Sequence, residues 1–210
     1  MNQKTAAKIY ETALLISRIA LMNLIWILFV IMGAGIFGFL PATVSLYGVF
    51  RKAQRQQGEF KWLTYAFSRF FLYLKKLFWV SLGLAFICLS LVLSYYTLGQ
   101  QHLVFNRLIA AFLVYILFLV VPNFSVNMVH LDVPLFSLVK NSFLLPLFWG
   151  TSSLKIAAAF FGTAVLCYLI PGIIPFFSAA VPIYVSGNIL LKRWEKQLIR
   201  LEKRGEEDCA

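Results

Sequence analysis

The chain alternates long apolar runs with short polar joints, and its first run is the longest. No charged residue occurs from Ile19 to Phe50, after which Arg51, Lys52 and Arg55 follow within five positions. Further apolar runs lie at Leu77–Leu98, Leu103–Pro122, Leu154–Ile170 and Phe176–Leu191. Most are about twice the 9–11 residues of a barrel strand, and turn signals at the spacing of a β protein are missing. A helix satisfies its own backbone inside a bilayer, which an open strand does not. The pattern therefore predicts an all-α polytopic membrane protein. About five transmembrane helices, near 19–40, 77–98, 103–122, 154–170 and 176–191, form one integral-membrane domain over residues 1–210.

Ile19 to Phe50 is 32 residues, about 48 Å as a straight helix at 1.5 Å per residue. That exceeds a bilayer unless the helix tilts steeply or bends. Gly33, Gly35 and Gly38 weaken it, and Pro41 removes a backbone donor. A break at Gly38–Pro41 is expected, with a short helix from Ala42 to Arg55 leaving the membrane at a shallow angle. Residues 60–76 then place Phe60, Leu63, Phe67, Phe70, Phe71 and Leu74 on one helical face. Lys61, Arg69, Lys75 and Lys76 fall opposite. This amphipathic helix lies in the cytoplasmic interface or packs on the protein's own cytoplasmic side. Later, Asp132 suits an N-cap, Pro134 a first turn and Pro146 a stop, which predicts a short helix between the third and fourth crossings. The last helix continues out of the membrane, with Trp194 at headgroup level and Gly205 as its stop.

Composition agrees with lipid as the main solvent. Hydrophobic residues make up 61% of the 210 and charged residues 13%, about half the charge of a soluble domain. The net charge of +11 does not point to nucleic acid, because most basic residues flank apolar runs. There they engage anionic headgroups and set orientation. Seven Lys or Arg separate the first two runs, six more follow the fifth, and the joints at Gly99–His102 and Pro171–Pro175 hold none. Basic loops stay inside, so the 51–76 segment and the C-terminus are expected in the cytoplasm of a bacterial plasma membrane. Five crossings put the N-terminus outside; a first segment that dips in and returns at Gly38–Pro41 keeps both termini inside. No cleavable signal peptide is expected, since the first run is too long for one. Cys88, Cys167 and Cys209 make no paired or CxxC framework.

Candidate chemistry is sparse. Of eight acidic residues, only Glu11, Glu59 and Asp132 lie ahead of the tail. His130 and Asp132 point to different sides of a helix, and no nucleophile elbow, zincin or phosphate-loop motif occurs. No catalytic, cofactor or metal residue is assigned, and the chain is not expected to be an enzyme. Asn23 and Asn188 are read as interhelical polar contacts rather than the lining of a solute path. Arg51, Lys52, Arg55, Lys75 and Lys76 are read as the groups that meet the membrane surface or a partner.

Several stretches resemble the YesL-like family of bacterial membrane proteins, the domain of unknown function DUF624. They are "LMNLIW" at 21–26, "PATVSLYGVFRK" at 41–52, the aromatic basic helix near Phe67–Lys76, "LVKNSFLL" at 138–145 and "PIYVSGNILLKR" at 182–193. Ahead of Pro41 the family has a further proline and a Thr-x-Gly, where this chain reads "VIMGAGIFGF". The resemblance implies a multi-helix plasma-membrane protein encoded among carbohydrate-uptake and sensor genes. It suggests an accessory or regulatory subunit beside a carbohydrate transporter or sensor protein. A small-solute permease or channel subunit is the alternative.

Overall fold

The computed structural model describes residues 3–55, 61–97, 103–130 and 134–207. They form an all-α polytopic membrane protein with no strand among the described residues. Helices α1 (Gln3–Met32), α2 (Ile36–Arg55), α3 (Trp62–Lys76) and α4 (Phe78–Thr97) come first. Helix α5 (Leu103–Tyr115) continues through a π-helical turn, Ile116–Val120, into α6 (Val121–His130). Helices α7 (Leu135–Phe148), α8 (Gly150–Leu169), α9 (Ile174–Phe177) and α10 (Ala180–Glu207) complete the bundle. Three stretches, Lys8–Met32, Val104–His130 and Gly150–Leu169, are long and apolar enough to cross a membrane alone. Counting the bent pairs α3–α4 and α9–α10 as one span each brings the number to five.

The first reversal differs from the expected one. It lies at Gly33–Gly35, and the first apolar helix ends at Met32 instead of running to residue 40. Gly35 N–H donates to the Val30 carbonyl at 2.7 Å and Ala34 N–H to Ile31 at 3.1 Å. These paired bonds cap α1 in the Schellman manner, with Ala34 at φ 55° where glycine is usual. Gly38 serves close approach, not a break. A Cβ there would sit 2.7 Å from the Phe29 carbonyl oxygen, and one on Gly33 would sit 2.2 Å from Gly38 Cα. Pro41 lies inside α2, where its cost is one missing bond to the Phe37 carbonyl. The chain has already turned back before it reaches that proline.

Helix α2 is the centre of the molecule, not a helix leaving the membrane. It packs against α1, α3, α4, α6 and α10, and every residue from Leu40 to Phe50 is buried. A helix enclosed all round is apolar on every face or satisfies its polar groups locally. Thr43 does so by donating to the Phe39 carbonyl at 2.8 Å and accepting from Trp26 Nε1 at 3.1 Å. Ser45 donates to the Ala42 carbonyl, and the Tyr47 hydroxyl bonds Ser186 on α10.

The joint between α3 and α4 falls where the pattern places it. Buried Leu77 separates Lys76 from Phe78, and the two helices bend there by 72°. Helix α3 presents Ala66, Phe70 and Tyr73 to the core, with Phe29 stacked on Phe70 at 4.4 Å between centroids. Leu63, Phe71 and Leu72 remain about half exposed. One side of this helix therefore packs on the protein, and its flank stays open.

Two prolines again sit inside helices. Pro122 follows the π turn, whose wider ring accommodates a residue that cannot donate. The neighbouring Leu119 carbonyl accepts from the Asn123 side chain at 2.8 Å. Pro146 lies within α7 and does not close it. Asp132, the expected cap of that helix, lies outside the described residues, and Pro134 occupies the cap position. The fifth expected span is interrupted: α9 and α10 meet at Ser178–Ala179 with a 50° bend.

Candidate functional site: a basic cleft between α2, α3 and α6

Where α2 ends beside α3, the side chains form a cleft of about 410 Å³. Arg51 and Lys52 from α2 and Arg69 and Lys76 from α3 line it, with the phenols of Tyr65 and Tyr73. Gly48 keeps the α2 side open, and Met128 and Val129 of α6 close the floor. The α3 residues fall at 65, 69, 73 and 76, one per turn, so a single stripe of that helix faces the cleft.

The charges are held by rings and backbone. Lys52 Nζ lies 4.3 Å from the Tyr65 ring centroid, and the Arg69 guanidinium lies 5.1 Å from the same ring. Arg51 donates through Nη1 to the Val129 carbonyl, which ties the end of α2 to α6. Burial pushes the Tyr73 phenol above the usual tyrosine range, while the nearby Arg69 charge opposes the shift. That phenol is protonated at neutral pH and able to donate. None of the three helices contains a carboxylate. Glu59 and Asp132, the acids closest to them in sequence, lie outside the described residues. Four cations and two phenols around one cavity make a receptor for an anion, most readily one with several oxygens.

Of the five basic residues singled out from the sequence, the structure brings Arg51, Lys52 and Lys76 together. Lys75 is exposed and does not line the cleft, and the Arg55 side chain lies outside the described residues. Arg69, Tyr65 and Tyr73 join the site although the sequence reading did not assign them to it. Their spacing along α3 was the available signal.

The two amides occupy separate places. Asn23 is fully buried and grips the interruption between α9 and α10. Its Oδ1 accepts from Ala179 and Ala180 N–H, each at 2.8 Å, and its Nδ2 donates to the Pro175 carbonyl at 2.8 Å and the Ile174 carbonyl at 3.4 Å. An asparagine amide offers two donors and two acceptor sites, so the chain's own backbone uses all four. Asn188 lies half-buried on α10, beside Arg51 and His130. Among the described residues no group of three or more His, Cys, Asp or Glu is arranged to hold a metal ion.

Comparison with known proteins gives partial matches in sequence. Residues 19–97, which run from α1 through α4, match the family described as "Protein of unknown function, DUF624". Over 37 residues the chain is 49% identical to the uncharacterized protein YteU of Bacillus subtilis (strain 168). That stretch covers 18% of this chain and 17% of the relative's length. No solved structure matches.

Proposed function

We propose, for a chain that residues 19–97 assign to the DUF624 family, a non-catalytic accessory or regulatory role beside a membrane system for carbohydrate uptake or sensing. Its place would be the bacterial plasma membrane, with the cleft and the C-terminus facing the cytoplasm. The observation that carries this reading is the filled interior. Helix α2, buried from Leu40 to Phe50, occupies the middle of the bundle, where a transporter would place its pathway. The concentrated charge lies instead at one end of α2, in a cleft suited to an anionic surface. The link to carbohydrate systems comes from the family resemblance alone.

The competing reading, a small-solute permease, has one feature in its favour: the interrupted α9–α10 segment is held against α1 by a buried amide, as in broken transporter helices. Saturation of Asn23 by backbone groups argues against a solute there. Two measurements decide between the readings. Purification from native membranes, with co-purifying proteins identified, should recover components of a carbohydrate transporter or sensor. Specific solute uptake into liposomes containing this protein alone would overturn the accessory role.

A further inference from the structure

A second cavity, apolar and of about 250 Å³, opens beside the basic cleft. Val80, Gly83, Leu84 and Ile87 of α4 form one wall, and Leu40 of α2 and Phe124 of α6 help to form the other. The two cavities share the same three structural rails. Along α6 the lining passes from Met128 to Phe124, along α2 from Gly48 to Leu40, and across the α3–α4 joint from Lys76 to Val80. Tyr73 and Met128 of the first lining and Leu40, Val121 and Phe124 of the second pack in one buried cluster with Val44 and Leu77. Helix α4 gives the scale of the groove: from Phe78 to Ile87 is nine residues, about 14 Å along the helix, and Lys76 ends α3 just before the 72° bend. Lys76 thus stands where α4 begins, and an apolar groove runs along the first three turns of α4. Gly83 and Ile87 are exposed, so the groove opens toward lipid.

The geometry points to a site for one anionic phospholipid, with its phosphate head among Arg69, Lys76, Lys52 and Tyr73 and one acyl chain in the groove along α4. Charge complementarity selects the head, since basic pockets between helices suit anionic headgroups. A soluble phosphate ester shares the head chemistry and leaves the groove without purpose. This assignment borrows from the accessory role only the placement of the cleft at the membrane surface, and its test needs no partner protein.

The test is native mass spectrometry of the full-length chain in detergent, titrated with phosphatidylglycerol, phosphatidylcholine and inorganic phosphate. Phosphatidylglycerol should bind at least roughly tenfold more tightly than phosphatidylcholine, and inorganic phosphate at equal concentration should not displace it. Each cation near an anionic headgroup is worth about fivefold in affinity, so the double variant Arg69→Gln, Lys76→Gln should lose roughly 25-fold. Lys76→Gln alone, at an exposed position, should lose about fivefold and covers the case in which the double variant misfolds. Gly83→Leu should also weaken binding, because Gly83 lines the groove and a Cβ there meets nothing within 4 Å, so the larger side chain fits without strain and narrows the groove. Lys75→Gln, outside the cleft, should change nothing. Equal losses in Lys75→Gln and the cleft variants would overturn the site in favour of diffuse surface charge. An unchanged Gly83→Leu, with phosphatidylglycerol displaced by inorganic phosphate, would overturn the lipid in favour of a soluble phosphate. Either result leaves the accessory role standing, and failure to find a partner leaves the lipid site standing.

Discussion

Replacing Gly33 by alanine tests the reversal that seats α2 in the core. The new Cβ would lie 2.2 Å from Gly38 Cα and 2.6 Å from Gly38 N. Carbon atoms in contact sit about 3.5 Å apart or more, so the two backbones must separate by roughly 1.3 Å (3.5 − 2.2) at that point. No rotamer relieves the clash, because both partners are main chain. Overpacking of this kind costs about 1–3 kcal/mol, and occasionally more. Alanine's stiffer unfolded chain offsets about 0.4–1 kcal/mol, so with both partners main chain and the cost near the upper end of the overpacking range the net loss is about 2 kcal/mol. Ala34→Gly is the matched control. It removes a left-handed alanine costing about 1–2 kcal/mol, while loosening the unfolded chain by about 0.4–1 kcal/mol. That variant should be neutral to slightly stabilised. Denaturant unfolding of the full chain in bicelles, followed by Trp fluorescence, compares the two with Trp26 close to the turn. A Gly33→Ala protein as stable as the parent would refute the close approach of α1 and α2.

Asn23→Leu should destabilise by about 1–3 kcal/mol for each of the two N–H groups at Ala179 and Ala180 left without an acceptor, read in the same unfolding assay. Arg193 donates to Ser152 Oγ at 2.6 Å and stacks over Trp149 at 5.2 Å, joining α10 to the start of α8. Its replacement by alanine should cost about 1–2 kcal/mol and raise limited proteolysis near residue 150. The raised Tyr73 pKa means that the folded state holds its proton longer than the unfolded state does. Its contribution is therefore complete below about pH 10 and declines as pH rises beyond it, so Tyr73→Phe should flatten stability against pH in that alkaline window.

Much of the fold was legible because lipid imposes long apolar runs. The α3–α4 joint was readable to the residue, since Lys75 and Lys76 end a two-faced helix and an uninterrupted apolar run begins. The first reversal was not, because Gly33, Gly35, Gly38 and Pro41 all signal a break and only packing distinguishes them. Gly33 and Gly38 are paired by contact across the turn, and Ala34 in a left-handed conformation carries no sequence signal at all. Pro41 misled because proline costs a helix one bond and a clash, which a buried helix with strong tertiary contacts absorbs. Helix α6 was hidden for a related reason: Asn123, Ser125 and Asn127 look like an exit from the membrane, yet all three are buried. In the basic cleft the α2 cations stood out as a cluster. Arg69 and the two tyrosines were spread over three turns of α3 and became neighbours only on the folded helix.

The enclosure of α2 bears on how the protein is made. Its twenty residues, with their hydroxyls and the Arg-Lys pair near the end, are not among the stretches apolar enough to lodge in lipid unaided. It depends on α6 and α10 for cover, and both follow it in the chain. Until α10 has emerged from the ribosome, the heart of this protein stands half unsheltered beside α1.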